Sequence, residues 1–556
     1  MVYFWRMNNK LRLFYLLIFG LAILVNFAGI NTGFFTDDPG LYASIAKNLI
    51  YKHDFLQLFT YSQDWLDKPH FPFWMAAISF KIFGIGVWAY RLPALLFFLL
   101  GVVYTWLFAN KYYSGQIAAV AVLILMTSQY VIMGNTDVRA EPYLLGMIIA
   151  AIYHTAQLKE RFGWADLLLA ALFTACAIMT KGIFVLVAIY GSILGQVMFD
   201  GQVGKLFSLR FIGLYVLTAL LLAPEIYALY IQFDLHPEKL VFDKHGVAGI
   251  RWFLWDSQFG RFINKGPISQ ASGGDIFFYV HTLLWAFAPW CLMFFYAIYK
   301  RLRDMMDRHT WVEYYSLSGA LLLLLLFSLS KFQLPFYTNA VFPLFAIITA
   351  PYIHKQLLKL ATGFRAFSQW LYIIAFVAIV VVIDYFLKPT NNLPFYVALT
   401  VLLILIIAIF ANIKQPTHRT FLITCAAALF ANYFLITALY PQLVAYNGQI
   451  TAANYINQPA LQNKHIYSLK QENNVFQFYT HRPVDYAPME KFDSLKTDST
   501  ALYYASQRTI NYLNDKHWAY HIDTTFINYP QERILPNFVN QNKRNTVLDK
   551  VYLISK

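Results

Sequence analysis

The chain has 556 residues, 59% of them hydrophobic and only 13% charged, with a mean hydropathy of +0.48. Fifty Phe, 39 Tyr and 13 Trp make it too apolar and aromatic for a soluble enzyme, and its apolar runs recur at bilayer-crossing length. The formal charge of +14 sits on Lys and Arg in short loops between those runs, where the positive-inside rule accounts for it without a nucleic-acid partner.

In chain order, the opening "MVYFWRMNNKLRLFYLLIFGLAILVNFAG" joins a basic start (Arg6, Lys10, Arg12) to a long apolar stretch with no small-residue cleavage site. It is expected to remain as a signal-anchor span that begins in the cytoplasm. Next, "FFTDDPGLYASIAKN" sets Asp37 and Asp38 at the membrane edge, a costly place for carboxylates and so a functional hypothesis. Leu41–Tyr51 is expected to form an amphipathic juxtamembrane helix with Leu41, Ile45, Leu49 and Ile50 on one face. Further apolar runs follow at about 91–110, 116–134, 142–158, 165–180, 182–198, 209–231, 275–298, 314–330, 338–353, 369–387, 393–413 and 419–440, roughly thirteen spans with the first.

"FPFWMAAISFKIFG" (Phe71–Gly84) is short, carries Lys81 and follows a Pro-rich entry. If it crossed the bilayer, the basic loops Lys159–Arg161, Lys205–Arg210, Lys300–Arg308, Lys355–Lys359 and Lys414–Arg419 would all fall outside, against the positive-inside rule. As a re-entrant or interfacial helix it leaves those loops cytoplasmic. It then gathers Phe34–Lys68, Asn135–Glu141, Gln232–Asp275 and Lys331–Tyr337 on the outer face.

From about Val444 the composition turns polar, and "HIYSL", "VFQFY" and "LYYA" have the pattern of short β-like runs. The expected division is a transmembrane catalytic domain, 1–443, and a soluble extracytoplasmic α/β domain, 444–556. Cys176, Cys291 and Cys425 lie in apolar segments at no ligand spacing and are expected to be core residues. There is no internal sequence repeat.

Four constellations carry chemistry: Asp37 with Asp38; Asp67 with Lys68 in "WLDKPHFPFW"; Asp137, Arg139 and Glu141 in "GNTDVRAEP"; and Lys331 with Tyr337 in "SKFQLPFY". Each alone has an ordinary reading as an interfacial anchor, and Asp137 and Arg139 can simply pair. Lys181 in "TKG" interrupts two apolar runs with hardly any loop, although a lysine at a hairpin tip can also snorkel. Together, carboxylates and several cations at one membrane face suit a phosphate held at the interface by a lipid tail, with a carboxylate acting on an acceptor.

The runs "TDDPGLYASIAKNL", "WLDKPHFPFWMAAISFKIFG", "YRLPALL", "TDVRAEPYLLG", "MTKG", "WDSQFGRF", "FFYVHTLLWAFAPW" and "LSKFQLPFYTNAVFP" resemble, in this order, the membrane-embedded GT-C glycosyltransferases. The likeness is to bacterial relatives of the protein O-mannosyltransferases and of the ArnT-like aminoarabinose transferases that modify lipid A. It covers about 1–350 well and the later spans weakly. The resemblance implies an all-α polytopic GT-C fold and an active site facing the periplasm of the bacterial cell membrane. It also implies transfer of a sugar from a polyprenyl-phosphate carrier, such as undecaprenyl phosphate, to a lipid A-type or protein acceptor.

Carried over by position, the family's first-loop catalytic aspartate falls on Asp38, with Asp37 as the alternative. Its phosphate-gripping Lys-Pro falls on Lys68, an aromatic of the same cavity on Trp65, and its second-loop acid on Glu141. Arg261 and Tyr337 match further phosphate contacts, and Arg139, Lys181 and Lys331 are expected substrate-binding cations. Where the aminoarabinose transferases have a Glu-His pair linked to a metal, this chain has Ser257 and Gln258, so no cofactor or metal is expected. A lipid or polysaccharide flippase is the alternative function; it would place charges along a path on both faces, often with a repeat.

Overall fold

Inside hydrocarbon a backbone must satisfy its own polar groups, and the long apolar runs do so as helices. The structure is a computed structural model that describes residues 9–61, 63–270, 273–307, 311–354, 359–389, 391–470, 473–495, 500–529 and 534–556. Arg6, Arg308 and most of the Lys355–Lys359 loop lie outside the described residues.

The first half of the bundle contains α1 (Asn9–Ala28), α2 (Asp37–Tyr51), α3 (Phe71–Phe83), α4 (Val87–Tyr112), α5 (Gly115–Thr127), α6 (Gln129–Thr136), α7 (Glu141–Glu160), α8 (Trp164–Lys181) and α9 (Val185–Phe199). A two-residue hairpin, β1 (Phe59–Thr60) with β2 (Gln63–Asp64), lies between α2 and α3. Among the described residues eight helices are long and apolar enough to cross a bilayer, or nine if α5 and α6, bent by 54°, form one broken span. The other runs read from the sequence are also helical. However, Val185–Phe199 and Tyr315–Leu329 have 15 residues each, α7 carries polar side chains, and 275–298 is split into two helices, so the expected thirteen crossings do not emerge from length and hydropathy.

The helices fix two ends of the bundle. At one end Lys111 pairs with Glu160 at 2.8 Å, Lys159 with Asp200, and buried Arg301 with buried Glu313 at 3.2 Å. At the other, Tyr90 donates to Val138 O at 2.9 Å and Arg91 donates to Thr136 O at 2.7 Å, tying the start of α4 to the α6–α7 link. Helix α7 joins the two ends, about 28 Å apart at 1.5 Å per residue.

Helix α3 does not join them. Its preceding residue His70 and the start of α4, four residues beyond its end, both sit at the Val138 end, and its 13 residues span about 20 Å against a hydrocarbon core of about 30 Å.

The three cysteines are buried and free. The C-terminal part holds a five-stranded mixed sheet in the order β4-β3-β5-β7-β6, from β3 (His465–Ser468), β4 (Asp485–Tyr486), β5 (Ala501–Ser506), β6 (His521–Asn528) and β7 (Asp549–Ser555). Strand β3 is parallel to β4 and β5, while β7 is antiparallel to β5 and β6.

Two expectations are corrected here. "VFQFY" is not a strand but the core of a short helix, Asn474–Tyr479, buried on every side. As a helix it sends Phe476 onto Tyr504 of the sheet (ring centroids 4.2 Å) and Phe478 onto Phe34 beyond α1 (5.0 Å), which strand alternation would not permit from adjacent layers. Helix α2, expected to lie amphipathically on the membrane, begins one turn earlier and is buried around most of its circumference, because the 474–479 helix covers its other face.

Candidate active site

Three charge clusters meet at the Val138 end of the bundle. The first turn of α2 carries Asp37 and Asp38, where the helix dipole favours carboxylates. The link before α7 carries Asp137 and Arg139, and Pro142 in the first turn lets α7 start at Glu141. Arg139 donates to Asp38 through Nη1, and to Asp137 Oδ2 through Nη2 at 3.0 Å and Nε at 3.2 Å. Thr36 holds the other oxygen of Asp137. Burial works against the Arg139 charge, but Asp137 and Asp38 outweigh it and hold the guanidinium well above its ordinary range. The Asp38 side chain remains 45% exposed, open to a substrate, and its Oδ1 has no partner among the described residues.

In the second cluster Asp67 bridges two cations, Lys68 at 2.6 Å and Arg261. Burial would raise the Asp67 carboxyl, yet Lys68 and Arg261 hold it below the usual carboxylate range. Burial, reinforced by Arg261, pushes the Lys68 ammonium down to about 8 despite Asp67. In the third cluster buried Glu141 pairs with Lys181, whose ammonium sits 4.4 Å from the centre of the Tyr337 ring.

Two hollows share these walls. Lys181, Ser257, Gln258 and Arg261 line both a polar hollow, with Asp67 and Lys68, and an apolar cleft, with Leu144, Phe184, Leu323 and Tyr337. An anion among the three cations of the first would thus have an adjoining apolar channel in the second. Gly182 ends α8 with φ +95°, and a Cβ there would come within 2.2 Å of the Gln258 amide nitrogen, so glycine permits this close approach. Gln258 donates to Ser257 Oγ at 2.9 Å; among the described residues no three His, Cys, Asp or Glu side chains are grouped to hold a metal.

The structure brings Asp38, Arg139, Glu141, Lys181, Lys68, Arg261 and Tyr337 to this one end. It does not bring Lys331 onto either wall: that side chain is exposed, and the residue's amide donates to Phe262 O at 2.9 Å. Trp65 is half-buried beside the hairpin, its amide on Leu58 O at 2.8 Å, and it lines neither hollow. Asp37 turns to the C-terminal part, accepting from Asn474 Nδ2 at 2.6 Å.

Sequence reasoning missed two members. Tyr42, used only as a motif marker, is buried, and its phenol is pushed well above its usual range by burial and by the fields of Glu141, Asp38 and Asp67. Glu225, fully buried in the apolar run "LLLAPEIYALY", accepts from the backbone N–H of His70 at 3.1 Å and lies 3.0 Å from its Nδ1. A carboxylate inside a membrane run is a signal the sequence did carry.

Residues 67–227 match the family model of the dolichyl-phosphate-mannose-protein mannosyltransferases. The fold is shared with ArnT from Cupriavidus metallidurans bound to undecaprenyl phosphate, with a TM-score of 0.73, 17% identity, and coverage of 92% of this chain and 96% of that one. The chain resembles the ArnT-like GT-C glycosyltransferases. The apo state of the same ArnT gives a TM-score of 0.70 at 17% identity, over 92% of this chain and 95% of that one. An undecaprenyl phosphate-alpha-4-amino-4-deoxy-L-arabinose arabinosyl transferase of Edwardsiella ictaluri is 26% identical over 323 residues, 57% of this chain and 55% of that protein. An uncharacterized protein of Aquifex aeolicus is 24% identical over 347 residues, 60% of this chain and 62% of that one. The chain therefore spans little more than half the length of these relatives. Of the candidate site residues, Asp67, Lys68, Arg139, Glu141 and Lys181 fall within the matched family segment, and Asp37 and Asp38 precede it.

Proposed function

We propose that this chain is an integral membrane glycosyltransferase that moves a sugar from a polyprenyl-phosphate carrier to an acceptor at the periplasmic face of the bacterial cell membrane. The observation that carries the reading is the hollow walled by Lys68, Lys181 and Arg261 that adjoins an apolar cleft, a match for a phosphate on an isoprenoid tail. The carrier named for the solved ArnT complex, undecaprenyl phosphate, has that chemistry. Residues 1–443 would form the catalytic domain and 444–556 the periplasmic domain.

In the reaction the acceptor oxygen attacks the anomeric carbon, that carbon's bond to the phosphate oxygen breaks, and the electron pair leaves on the polyprenyl phosphate. Lys68, Arg261 and Lys181 stabilise the negative charge that grows on the leaving phosphate. Asp38 takes the acceptor proton, its orientation fixed by Arg139. Glu141, held by Lys181, positions the sugar. Tyr337 lines the adjoining apolar cleft. A protein hydroxyl acceptor uses Asp38 as this base, whereas a lipid A-type phosphate, already anionic at neutral pH, needs Asp38 only to orient it. The flippase alternative is not favoured, since the clustered residues sit at one end of α7.

The test is binding of undecaprenyl phosphate to the purified protein in nanodiscs. Lys68→Ala and Arg261→Ala should each weaken it by about 10- to 150-fold, the worth of one charge-assisted hydrogen bond of about 1.5–3 kcal/mol. Wild-type affinity in both variants would overturn the donor assignment.

A further inference from the structure

Glu225 is a carboxyl that the transfer step leaves unused. It lies in the helix Ala223–Leu229, within the membrane-length run Leu209–Asp234, and is fully buried at the wall of the donor hollow, which it shares with Asp67, Lys68, Lys181 and Arg261. A carboxyl in such a place is costly unless its oxygens are occupied, and both are. Oε2 accepts from the backbone N–H of His70 at 3.1 Å, and Oε1 lies 3.0 Å from the Nδ1 of the same residue.

The ring of His70, itself buried, fixes the proton count. Its Nε2 lies 3.1 Å from Leu56 O, a carbonyl oxygen that can only accept, so Nε2 carries a hydrogen. Nδ1 faces a carboxyl oxygen, so one proton lies between the two, and whichever atom holds it the pair is neutral overall. The charge of Lys68, Lys181 and Arg261 is therefore not spent on Glu225. The grip also falls two residues from Lys68. Pro69 fixes its own φ and disfavours helical backbone at Lys68, so little freedom separates the anchored His70 from the lysine. One turn further along α3, Trp74 Nε1 donates to Phe55 O at 2.7 Å, beside the Leu56 tie. His70 thus joins the start of α3, the helix Ala223–Leu229 and the loop at 55–56.

We propose that Glu225 is a positioning residue of the donor site: through His70 it fixes segment 68–70 so that the Lys68 ammonium faces the carrier phosphate, and it does so as half of a neutral pair that takes no charge from the hollow. The proposal rests on the glycosyltransferase reading and concerns the same site. Glu225 touches neither phosphate nor sugar, and no bond is made or broken at it. An ionised Glu225 without His70 would instead place a second carboxylate beside Asp67 and compete with the phosphate for the cations.

The experiment measures undecaprenyl phosphate binding to full-length protein in nanodiscs for Glu225→Ala, Glu225→Gln, Lys68→Ala and the Glu225→Ala/Lys68→Ala double variant. Glu225→Gln can set its oxygen on the His70 N–H and its amino group on Nδ1, so it should keep wild-type affinity. Glu225→Ala should weaken binding by about 10- to 100-fold, yet add nothing in the Lys68→Ala background, because its effect runs through that lysine. Wild-type affinity in Glu225→Ala, losses that multiply in the double variant, or equal losses in Glu225→Ala and Glu225→Gln would each overturn the proposal. A second readout needs no carrier. Methylation of Lys68, followed by mass spectrometry across pH, should show its ammonium titrating near 8 in wild type and Glu225→Gln, and higher in Glu225→Ala, where the lysine is released to water. His70→Ala cuts the same tie from the other side and should raise that titration likewise, so the test stands if Glu225→Ala does not fold; an unmoved titration would overturn the proposal. Carrier binding that Lys68→Ala weakens and Glu225→Ala does not removes only the positioning role. Absence of carrier binding in the wild type removes the donor reading, while the Lys68 titration still decides whether Glu225 sets that lysine.

Discussion

At the scale of the residue, the two aspartates at the start of α2 illustrate how one covalent step separates two environments. Asp38 is half-exposed and tied to Arg139, and Asp37 is tied to Asn474 of the C-terminal part. Asp38→Asn should therefore lower turnover by about 10²- to 10⁴-fold in a transfer assay, the range for loss of a general base, while Asp37→Asn should do much less. Equal small losses on kcat would remove the assignment. Lys68 adds a pH dependence. Its ammonium, depressed to about 8, is fully charged below that pH and lost above it. The dianionic phosphate is complete by about pH 7, so carrier affinity should fall between about pH 7.5 and 9, and Lys68→Arg, which stays charged, should abolish that fall. The pairings themselves were only partly legible in the sequence. The motif order located Asp38, Lys68 and Glu141, but Asp67's bridge to Arg261 joins positions 194 apart and leaves no local pattern.

At the scale of the element, α2 is held by the 474–479 helix more than by its own amphipathicity. Gly40 lets the two approach, since a Cβ there would meet the backbone nitrogen of Val475 at 2.9 Å. Ser44 donates to Asn474 O at 2.9 Å, and buried Lys47 donates to the carbonyls of Gln477, Phe478 (3.1 Å) and Thr480 (2.8 Å). Burial pushes the Lys47 ammonium down to about 7, and the three carbonyls accept hydrogen bonds from its three N–H groups. Lys47→Ala leaves those carbonyls unpaired. It should speed hydrogen exchange at 474–480 by about 10- to 100-fold while the bundle helices keep their protection; unchanged exchange would show that the apolar contacts alone hold the joint. This joint explains why the sequence misled. "VFQFY" has strand-like residues and α2 has an apolar stripe, but each is covered on one side by the other, and a local pattern records neither partner.

At the scale of the whole molecule, the charge parity of the loops and the position of α3 agree. Both flanks of α3 sit at the site end, and the Lys111, Lys159 and Arg301 pairs sit at the other. A reporter active only outside the cytoplasm should be active when fused after Lys556 and silent when inserted after Gln202; the reverse in both fusions would invert the bundle. The architecture was the most legible level, because membrane-length apolar runs admit little but helices. The number of crossings was the least, because short, bent and polar-faced helices inside a bundle do not differ in composition from spans that meet lipid.

The clamp on α2 also sets an order of events in biosynthesis. Lys47 and Ser44 bind groups that lie about 430 positions further along the chain. At roughly 5–20 residues per second, α2 leaves the ribosome about 20–90 s before its partner exists. By the end of that interval every residue of the donor hollow has been made, yet the helix bearing both aspartates still lacks its partner. On the proposed function, a nascent chain would stay inert until its last segment has docked on α2. A chain ending before Asn473 should accumulate with its carrier-binding cations intact and its transfer activity absent, which a carrier-binding and transfer assay on the truncated protein would read out side by side.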